Sequence, residues 1–471
     1  MFGNLDLLGL FICAAVWLGP MLANLRRGRL WLMHPSGFFP LMVVYMLLPP
    51  LFYRWGEKGS ILHTASMWGE NPWFLAEPML VLALAGAFYH LGVKLGGTPL
   101  TLGPQDSPEA YIPLPSRKCI GKISFAAVAF GVLALGQILF YLKPVSDYGK
   151  GYYWITLFYK SYTVLPLLVF QQDRSLGLLF LLLSIPGSLL QQSKAMFLYT
   201  VVSFFLLYQT KLFRLSKSVP AVLIGLILLT PVAVSLYGTD FNITKDLRVL
   251  ENLEVVTWKE SINRFSSREY AFETFACIYQ KCQEGGEEVQ WGRKNFEDFL
   301  KIIPTFFWPA KPLEFYDFPA EYLPLDYFAY EMYYAHYFLS AFYQDFRLLG
   351  VALAGLILGL IFGFGYRISL SLSRRRQELW PIMIYLCFVV NSKYFIESTI
   401  FNALVDSAGK ALAILLVILL SLPFVYLETR FKEYRQQAMQ PQRIATANPR
   451  RPKRRISQAS LLNNATKIHR H

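Results

Sequence analysis

Two arginines near the middle of the chain have a spacing that places them on one side of a helix. Arg264 and Arg268 are four residues apart, and side chains at that separation project from the same helical face. Two planar guanidinium groups on one face form a fork-shaped anion site that suits pyrophosphate. The alternative is a solvated helix in which Arg264 pairs with Glu260 one turn earlier. The residues by themselves leave both interpretations open.

Two lysines stand near predicted membrane boundaries. Lys194 ends a polar turn at 191–194, at the outer mouth of two apolar runs, where it either binds an anion or extends its ammonium group to the interface. Lys160 lies about six residues into another apolar run, roughly 9 Å from its start at about 1.5 Å per residue. At that depth a lysine either reaches back to the interface or faces a cavity with an anionic partner.

A proline-rich aromatic stretch occupies residues 302–312. Its three prolines exclude a continuous helix and favour a rigid extended loop, which carries Lys311. Tyrosines and phenylalanines continue through residue 334 and form either an interfacial aromatic belt or a surface on which sugars stack. His336 comes directly after this segment and is either a general base or a hydrogen-bonded packing residue.

Sequence signals for several other chemistries are absent. The chain has no glycine-rich phosphate loop, no metal-binding His or Cys spacing, and no Gly-x-Ser-x-Gly nucleophile motif. Asp317 and Asp326 are scattered among prolines and do not indicate a metal cage. We therefore predict chemistry without a metal or another cofactor.

The cysteines do not indicate a disulfide framework, because the chain has only five. Cys277 and Cys282 both lie in the central segment. They either close a local disulfide, which an unbroken helix would prevent, or stay as two thiols.

Composition identifies the element type that must position these residues. Of the 471 residues, 54% are hydrophobic and only 16% are charged, which indicates a polytopic membrane protein. The apolar runs lack the period-two alternation of barrel strands, so we predict an all-α protein with about 11 transmembrane helices. The predicted runs are 5–23, 37–52, 74–93, 123–142, 154–170, 176–190, 197–208, 219–236, 348–368, 379–395 and 411–427.

The distribution of Lys and Arg predicts the topology. The strongest basic clusters follow the first, seventh, ninth and eleventh runs, which all fall on one side if the N-terminus is outside and the C-terminus is cytoplasmic. Positive-inside topology also explains the net charge of +14 without nucleic acid.

The same topology divides the chain into four regions. Residues 1–237 hold helices one to eight, and 238–347 form a large extracytosolic loop with short helices and the aromatic, proline-rich stretch. Residues 348–429 hold helices nine to eleven, and 430–471 form a basic, disordered cytoplasmic tail.

Three short patterns together resemble a known family. They are a Gly-Ser-x-x-x-x-Ser-Lys turn ending at Lys194, an Ile-Pro-x-x-x-Trp-Pro-x-Lys-Pro string at 303–312, and an Asp-Phe-Arg-x-x-Gly sequence that begins at Asp345. The chain resembles the oligosaccharide repeat unit polymerases of the Wzy, or O-antigen polymerase, type over residues 188–367. The family usually has arginine where this chain has Lys194, and commonly Pro-Arg where it has Pro304-Thr305.

The resemblance implies a glycosyltransferase with a C-type membrane fold. It would act on the outer face of the cytoplasmic membrane and join repeat units carried on undecaprenyl pyrophosphate, with the lipid pyrophosphate as leaving group. Cations would stabilise the charge on that group. The implied pyrophosphate-binding set is Arg264, Arg268, Lys194 and Lys311, with Lys160 behind them, and the implied general base is Glu269, Asp345 or His336, in that order.

The expected partners are the lipid-linked oligosaccharide, the bilayer and a chain-length regulator membrane protein. Three alternatives remain at this point. An O-antigen ligase would share the layout and differ in its acceptor, a lipid-linked oligosaccharide flippase or transporter would carry charges within several helices, and a structural scaffold would have no chemistry.

Overall fold

The computed structural model describes residues 4–26, 32–47, 75–101, 122–141, 165, 168–169, 176–177, 179–180, 271–284, 288–301, 303, 308, 337–376 and 380–445. All regular secondary structure in these residues is helical. The helices are α1 (Asn4–Arg26), α2 (Phe38–Tyr45), α3 (Ala76–Leu95), α4 (Lys122–Tyr141), α5 (Ala271–Glu284), α6 (Arg293–Lys301), α7 (Ser340–Arg376), α8 (Trp380–Val390), α9 (Ser392–Glu397) and α10 (Ile400–Ala445).

Four of the described helices, α1, α3, α7 and α10, are long and apolar enough to cross a membrane. A hydrocarbon core of roughly 30 Å needs about 20 helical residues. The prediction of an all-helical membrane protein is confirmed at this level. The predicted runs between 154 and 236 lie almost entirely outside the described residues, so the count of 11 helices stays a prediction.

Helices α1, α3 and α7 run in the same direction. Trp17 Nε1 donates to the Leu82 carbonyl oxygen at 3.0 Å, and Asn24 Nδ2 donates to the Leu100 carbonyl oxygen at 3.2 Å, so contacts between α1 and the α3 segment advance together along both chains. Contacts between α3 and α7 advance in the same way, because Gly355 lies against Ala85, Gly359 against Tyr89 and Gly363 against Val93.

Glycines let α3 and α7 pack with their backbones in contact. Gly355, Gly359 and Gly363 recur every four residues on α7 and face α3. A Cβ at Gly355 or Gly359 would overlap the carbonyl oxygen of Ala85 or Tyr89, respectively. Small residues at this spacing allow close approach of membrane helices, where dispersion contacts replace the hydrophobic effect as the stabilising interaction.

The basic ends of the four long helices lie together. The Phe338 N–H donates to the Ile396 carbonyl oxygen at 3.1 Å, so α10 begins at the same end of the bundle as α7. The four helices therefore start at one end and carry Arg26, Lys94, Arg375 and Arg430 toward the other. This shared direction matches the one predicted for runs one, three, nine and eleven, and the membrane side that each end faces stays a prediction.

Helix α2 is too short to cross a membrane. Its eight residues span about 12 Å, whereas the sequence predicted a crossing over 37–52. It is seated instead in the aromatic core of the bundle, where the Phe39 ring lies 5.2 Å from Tyr89 and 4.9 Å from Phe362, centroid to centroid.

Helix α7 contains a sharp break at Arg347, whose φ of 54° and ψ of −135° are not helical. A short helical segment precedes this residue, and the long apolar segment starts at Leu348, where the sequence predicted the ninth run to begin. The predicted boundary between loop and membrane helix therefore falls at the break.

The last two predicted runs differ from the structure. The run at 379–395 is divided at Asn391 into α8 and α9. Helix α10 begins at Ile400, well before the predicted start at 411, and continues to Ala445, into the segment that the sequence predicts to be disordered from 430. Ion pairs one turn apart, such as Lys432 with Glu428 at 2.7 Å, stabilise the exposed part of α10. Residues 446–471 lie outside the described residues.

Candidate functional site

The described part of the central segment packs on the end of the bundle opposite the basic helix ends. Helix α5 contacts the start of α7 through rings: Phe275 lies 5.5 Å from Tyr337, and Tyr279 lies 5.2 Å from Tyr343. Helix α6 contacts the start of α10, where the Phe299 ring lies 5.8 Å from Phe401. We call α5, α6 and residues 337–346 the platform. It includes the first residues of α7 and packs against the start of α10.

Asp345 fixes the orientation of α6. Its carboxylate is fully buried and accepts hydrogen bonds from the backbone N–H groups of Lys294 at 3.0 Å and Asn295 at 2.9 Å, and from the Asn295 side chain at 2.7 Å. A carboxylate in this position satisfies helix N–H groups that have no intrahelical partner and complements the positive end of the helix dipole. Asp345 therefore caps a helix distant in sequence.

Hydrogen bonds from the turn that precedes α6 also fix the backbone around Asp345. The Trp291 N–H donates to the Asp345 carbonyl oxygen at 3.1 Å, and the Gln290 N–H donates to the Gln344 carbonyl oxygen at 3.3 Å. These bonds satisfy carbonyl groups at the end of the short helical segment before Arg347. Trp291 and Arg347 both have positive φ, 47° and 54°, which L-residues rarely adopt. The turn at Trp291 and the break at Arg347 therefore stabilise each other through these backbone hydrogen bonds.

A second polar group lies where α5 meets the start of α7. Gln283 Nε2 donates to the Tyr343 hydroxyl at 2.9 Å. Burial, followed by the nearby Glu77 carboxylate, raises the pKa of the Tyr279 hydroxyl, which also hydrogen-bonds Glu77. Tyr279 therefore stays protonated at physiological pH and acts as a hydrogen-bond donor rather than as a base.

A buried charge cluster lies where the break between α8 and α9 meets α10. Lys410 Nζ lies 2.7 Å from Asp406 Oδ2 and donates to Asn391 Oδ1, also at 2.7 Å. Asn391 Nδ2 in turn donates to Asp406 Oδ2 at 3.0 Å and to Ser407 Oγ at 2.8 Å. Asp406 and Lys410 are 2% and 1% exposed. This cluster joins the α8–α9 break to α10.

The sequence analysis did not single out this cluster, although a signal was present. Asp406 and Lys410 are one helical turn apart at the edge of an apolar run, and the predicted helix began immediately after them. Lys410 lies ten residues beyond Ile400, which at about 1.5 Å per residue is roughly 15 Å along α10. Charged residues buried among apolar helices are costly and commonly mark functional sites or fixed structural pairs.

Of the eight predicted site residues, the structure describes only Asp345. Its three accepted hydrogen bonds give it a positioning role in the platform. The other predicted residues lie outside the described residues, so the structure does not bring the predicted set together or separate it. They are Arg264, Arg268, Lys194, Lys311, Lys160, Glu269 and His336.

The described residues contain neither a cluster of metal ligands nor a disulfide. No group of three or more His, Cys, Asp or Glu side chains there has an arrangement that could hold a metal ion. Cys277 and Cys282 lie on the unbroken helix α5 as buried thiols, not as a disulfide.

Comparisons with known proteins give no relative from which a role could be transferred: no protein-family model, curated protein or solved structure matches the chain.

Proposed function

We propose that the chain is a membrane glycosyltransferase that polymerises oligosaccharide repeat units carried on undecaprenyl pyrophosphate. The observation that carries the proposal is the position of the platform, at the bundle end opposite Arg375 and Arg430. By the positive-inside rule this end faces away from the cytoplasm, where a lipid-linked substrate on the outer leaflet of the cytoplasmic membrane would be met. The motifs at Lys194 and 303–312 supply the resemblance to the polymerase family.

The sequence connects the platform to the predicted cations. Arg264 and Arg268 come shortly before α5, and His336 comes directly before Tyr337, whose ring packs on α5. Because the chain joins these positions to the platform, the proposal locates the pyrophosphate site beside α5. The platform residues then act as a rigid support, which a site of this kind needs to hold its charged groups in place.

In the proposed reaction, a hydroxyl oxygen of the incoming repeat unit bonds to the anomeric carbon of the growing chain. The bond between that carbon and the lipid pyrophosphate breaks, and its electron pair leaves with the pyrophosphate. Arg264, Arg268, Lys194 and Lys311 stabilise the resulting charge, with Lys160 behind them. The hydroxyl proton passes to a base, for which Glu269, Asp345 and His336 are the proposed candidates.

Substitution of Arg268 tests the proposal. Removing one donor that stabilises transition-state charge costs about 3 kcal/mol, or roughly a hundredfold in rate. Cells with Arg268→Ala should therefore make mainly single-unit glycans while the protein stays at normal abundance. Arg293→Ala is the matched control, because Arg293 is exposed and its side chain pairs with Glu297 within α6, so its glycan ladder should be normal. A normal ladder with Arg268→Ala would remove this residue from the site.

Deletion of the whole protein separates the polymerase from the ligase. Loss of a polymerase leaves single-unit glycans, whereas loss of a ligase leaves long glycans that are not attached to their final acceptor.

Transport of a lipid-linked oligosaccharide is the second candidate, favoured by the buried Asp406–Lys410 pair, since intramembrane charges often line ion or substrate pathways. Reconstitution in vesicles distinguishes it. A transporter moves labelled lipid-linked oligosaccharide across the bilayer without lengthening it, and a polymerase lengthens it without moving it.

A further inference from the structure

Helix α6 is oriented with its polar side toward the protein and its apolar side outward. Asp298 is 5% exposed and Asn295 bonds Asp345, whereas Phe296 is 60% exposed. Phe299 packs one side of its ring on Phe401 and is still 47% exposed. In a helix that packs on a water-soluble core, the apolar side faces inward. The reversed arrangement here indicates that the outer face of α6 is covered by an apolar medium.

Trp291, two residues before this helix, extends the same surface. Trp291 is 81% exposed, although the Asp345 carbonyl oxygen fixes its backbone. Exposed aromatic area costs about 25 cal/mol per Å² relative to burial. Tryptophan is enriched where a membrane meets water, because its ring is apolar and its N–H can bond to headgroups.

The exposed side chains of the neighbouring membrane helix indicate that this apolar medium is lipid. Leu348 and Leu349 begin the long apolar part of α7 directly after the break, and they are 52% and 65% exposed. Helix α6 extends from Asp345 in α7 to Phe401 in α10, so it lies at the ends of two membrane-spanning helices. Its outward aromatic residues are therefore at the same end of the bundle as the start of the lipid-facing surface.

We propose that Trp291 and Phe296 anchor α6 in the interfacial layer of the lipid bilayer, at the platform end of the bundle. The partner is a phospholipid surface: the two rings enter the region between headgroups and acyl chains, and Arg293 stays beside the phosphates. The Asp345 cap holds α6 in the orientation that makes this possible. The inference does not depend on the proposed enzymatic function.

Fluorescence quenching by brominated lipids tests the anchor. The experiment uses the full chain with Cys119→Ser as its background. The other four cysteines are buried, so a cysteine introduced at an exposed position is the main labelling site. Phe296→Cys and Trp291→Cys are each labelled with bimane and reconstituted in vesicles of phosphatidylcholine with bromine near the start of the acyl chain. Glu288→Cys, exposed and three residues before Trp291, is the control.

Emission from a label at 296 or 291 should fall at least about twofold in brominated vesicles, while emission from 288 should change little. The two sites check each other, because Trp291 makes few contacts that a cysteine would remove. Two results would overturn the proposal. Equal, weak quenching at all three positions would place α6 in water. A label at 296 shielded from both the bromines and aqueous iodide would mean that protein, from this chain or a second copy, covers the helix.

Discussion

Removal of the Lys410 charge should destabilise the protein far more than removal of an exposed lysine with the same local geometry. The Lys410 Nζ lies 2.7 Å from Asp406 Oδ2, and their attraction at an effective dielectric of about 20 is roughly 6 kcal/mol. Lys410→Met leaves a buried carboxylate without its counter-ion and leaves Asn391 Oδ1 without this donor. Breaking a buried pair in this way typically costs about 3–5 kcal/mol.

Helix α10 supplies a matched control. Lys432 and Glu428 have the same one-turn spacing, the same order of charges and the same 2.7 Å distance, but both are exposed to solvent. Exposed pairs of this kind contribute about 0.3–0.5 kcal/mol. Lys432→Met should therefore change the free energy of unfolding by less than about 1 kcal/mol.

The measurement is unfolding of the full chain by sodium dodecyl sulfate in mixed micelles, followed by far-UV circular dichroism. The double variant Asp406→Asn with Lys410→Met should recover most of the lost stability, because no unpaired charge remains. If Lys410→Met costs no more than Lys432→Met, burial adds nothing to the strength of the Asp406–Lys410 pair.

Three further predictions concern packing, the platform and pH. Gly359→Ala should cost about 1–3 kcal/mol because its Cβ would overlap the Tyr89 carbonyl oxygen, whereas Gly131→Ala, which meets no atom within 4 Å, should be neutral or stabilising in the same unfolding assay. Asp345→Ala should lower stability by about 1–3 kcal/mol. Asp345→Asn keeps one hydrogen-bond acceptor for α6, so cells with this variant should make a normal glycan ladder. If Asp345 were the general base, the ladder would be lost. Burial lowers the pKa of His34 to about 4, from 6.5, so the unfolded chain binds this proton first as pH falls. Stability should therefore fall by up to about 1.4 kcal/mol per pH unit between pH 6.5 and about 4, and less so in His34→Gln.

The sequence predicted the features that follow from hydrophobicity over long windows. The starts of α1, α3 and α4 differ from the predicted runs by one or two residues. The predicted start of the ninth run at Leu348 coincides with the break at Arg347. Windows of this kind succeed because each membrane helix must satisfy its backbone within itself and present apolar side chains to lipid.

The candidate site was less accessible to sequence reasoning. Asp345 was one of three candidate bases, and only the structure shows that its carboxylate caps α6, which lies about fifty residues earlier in the chain. The Asp406–Lys410 pair was missed because hydropathy treats each charge as an interruption, whereas a neutral, hydrogen-bonded pair can be buried within a helix.

Hydrophobic composition and the positions of Lys and Arg were enough to predict a helical chain, apolar enough for a membrane, with its basic residues on one side. Tertiary structure decided which groups meet: glycine against carbonyl between α3 and α7, a carboxylate on the first turn of α6, and lysine with aspartate within α10. The two kinds of interaction differ in how far apart in the sequence the participating residues lie. Transfer to lipid depends on composition summed along a single segment, whereas hydrogen bonds, ion pairs and backbone contacts require atoms from distant segments to lie within about 3 Å of one another.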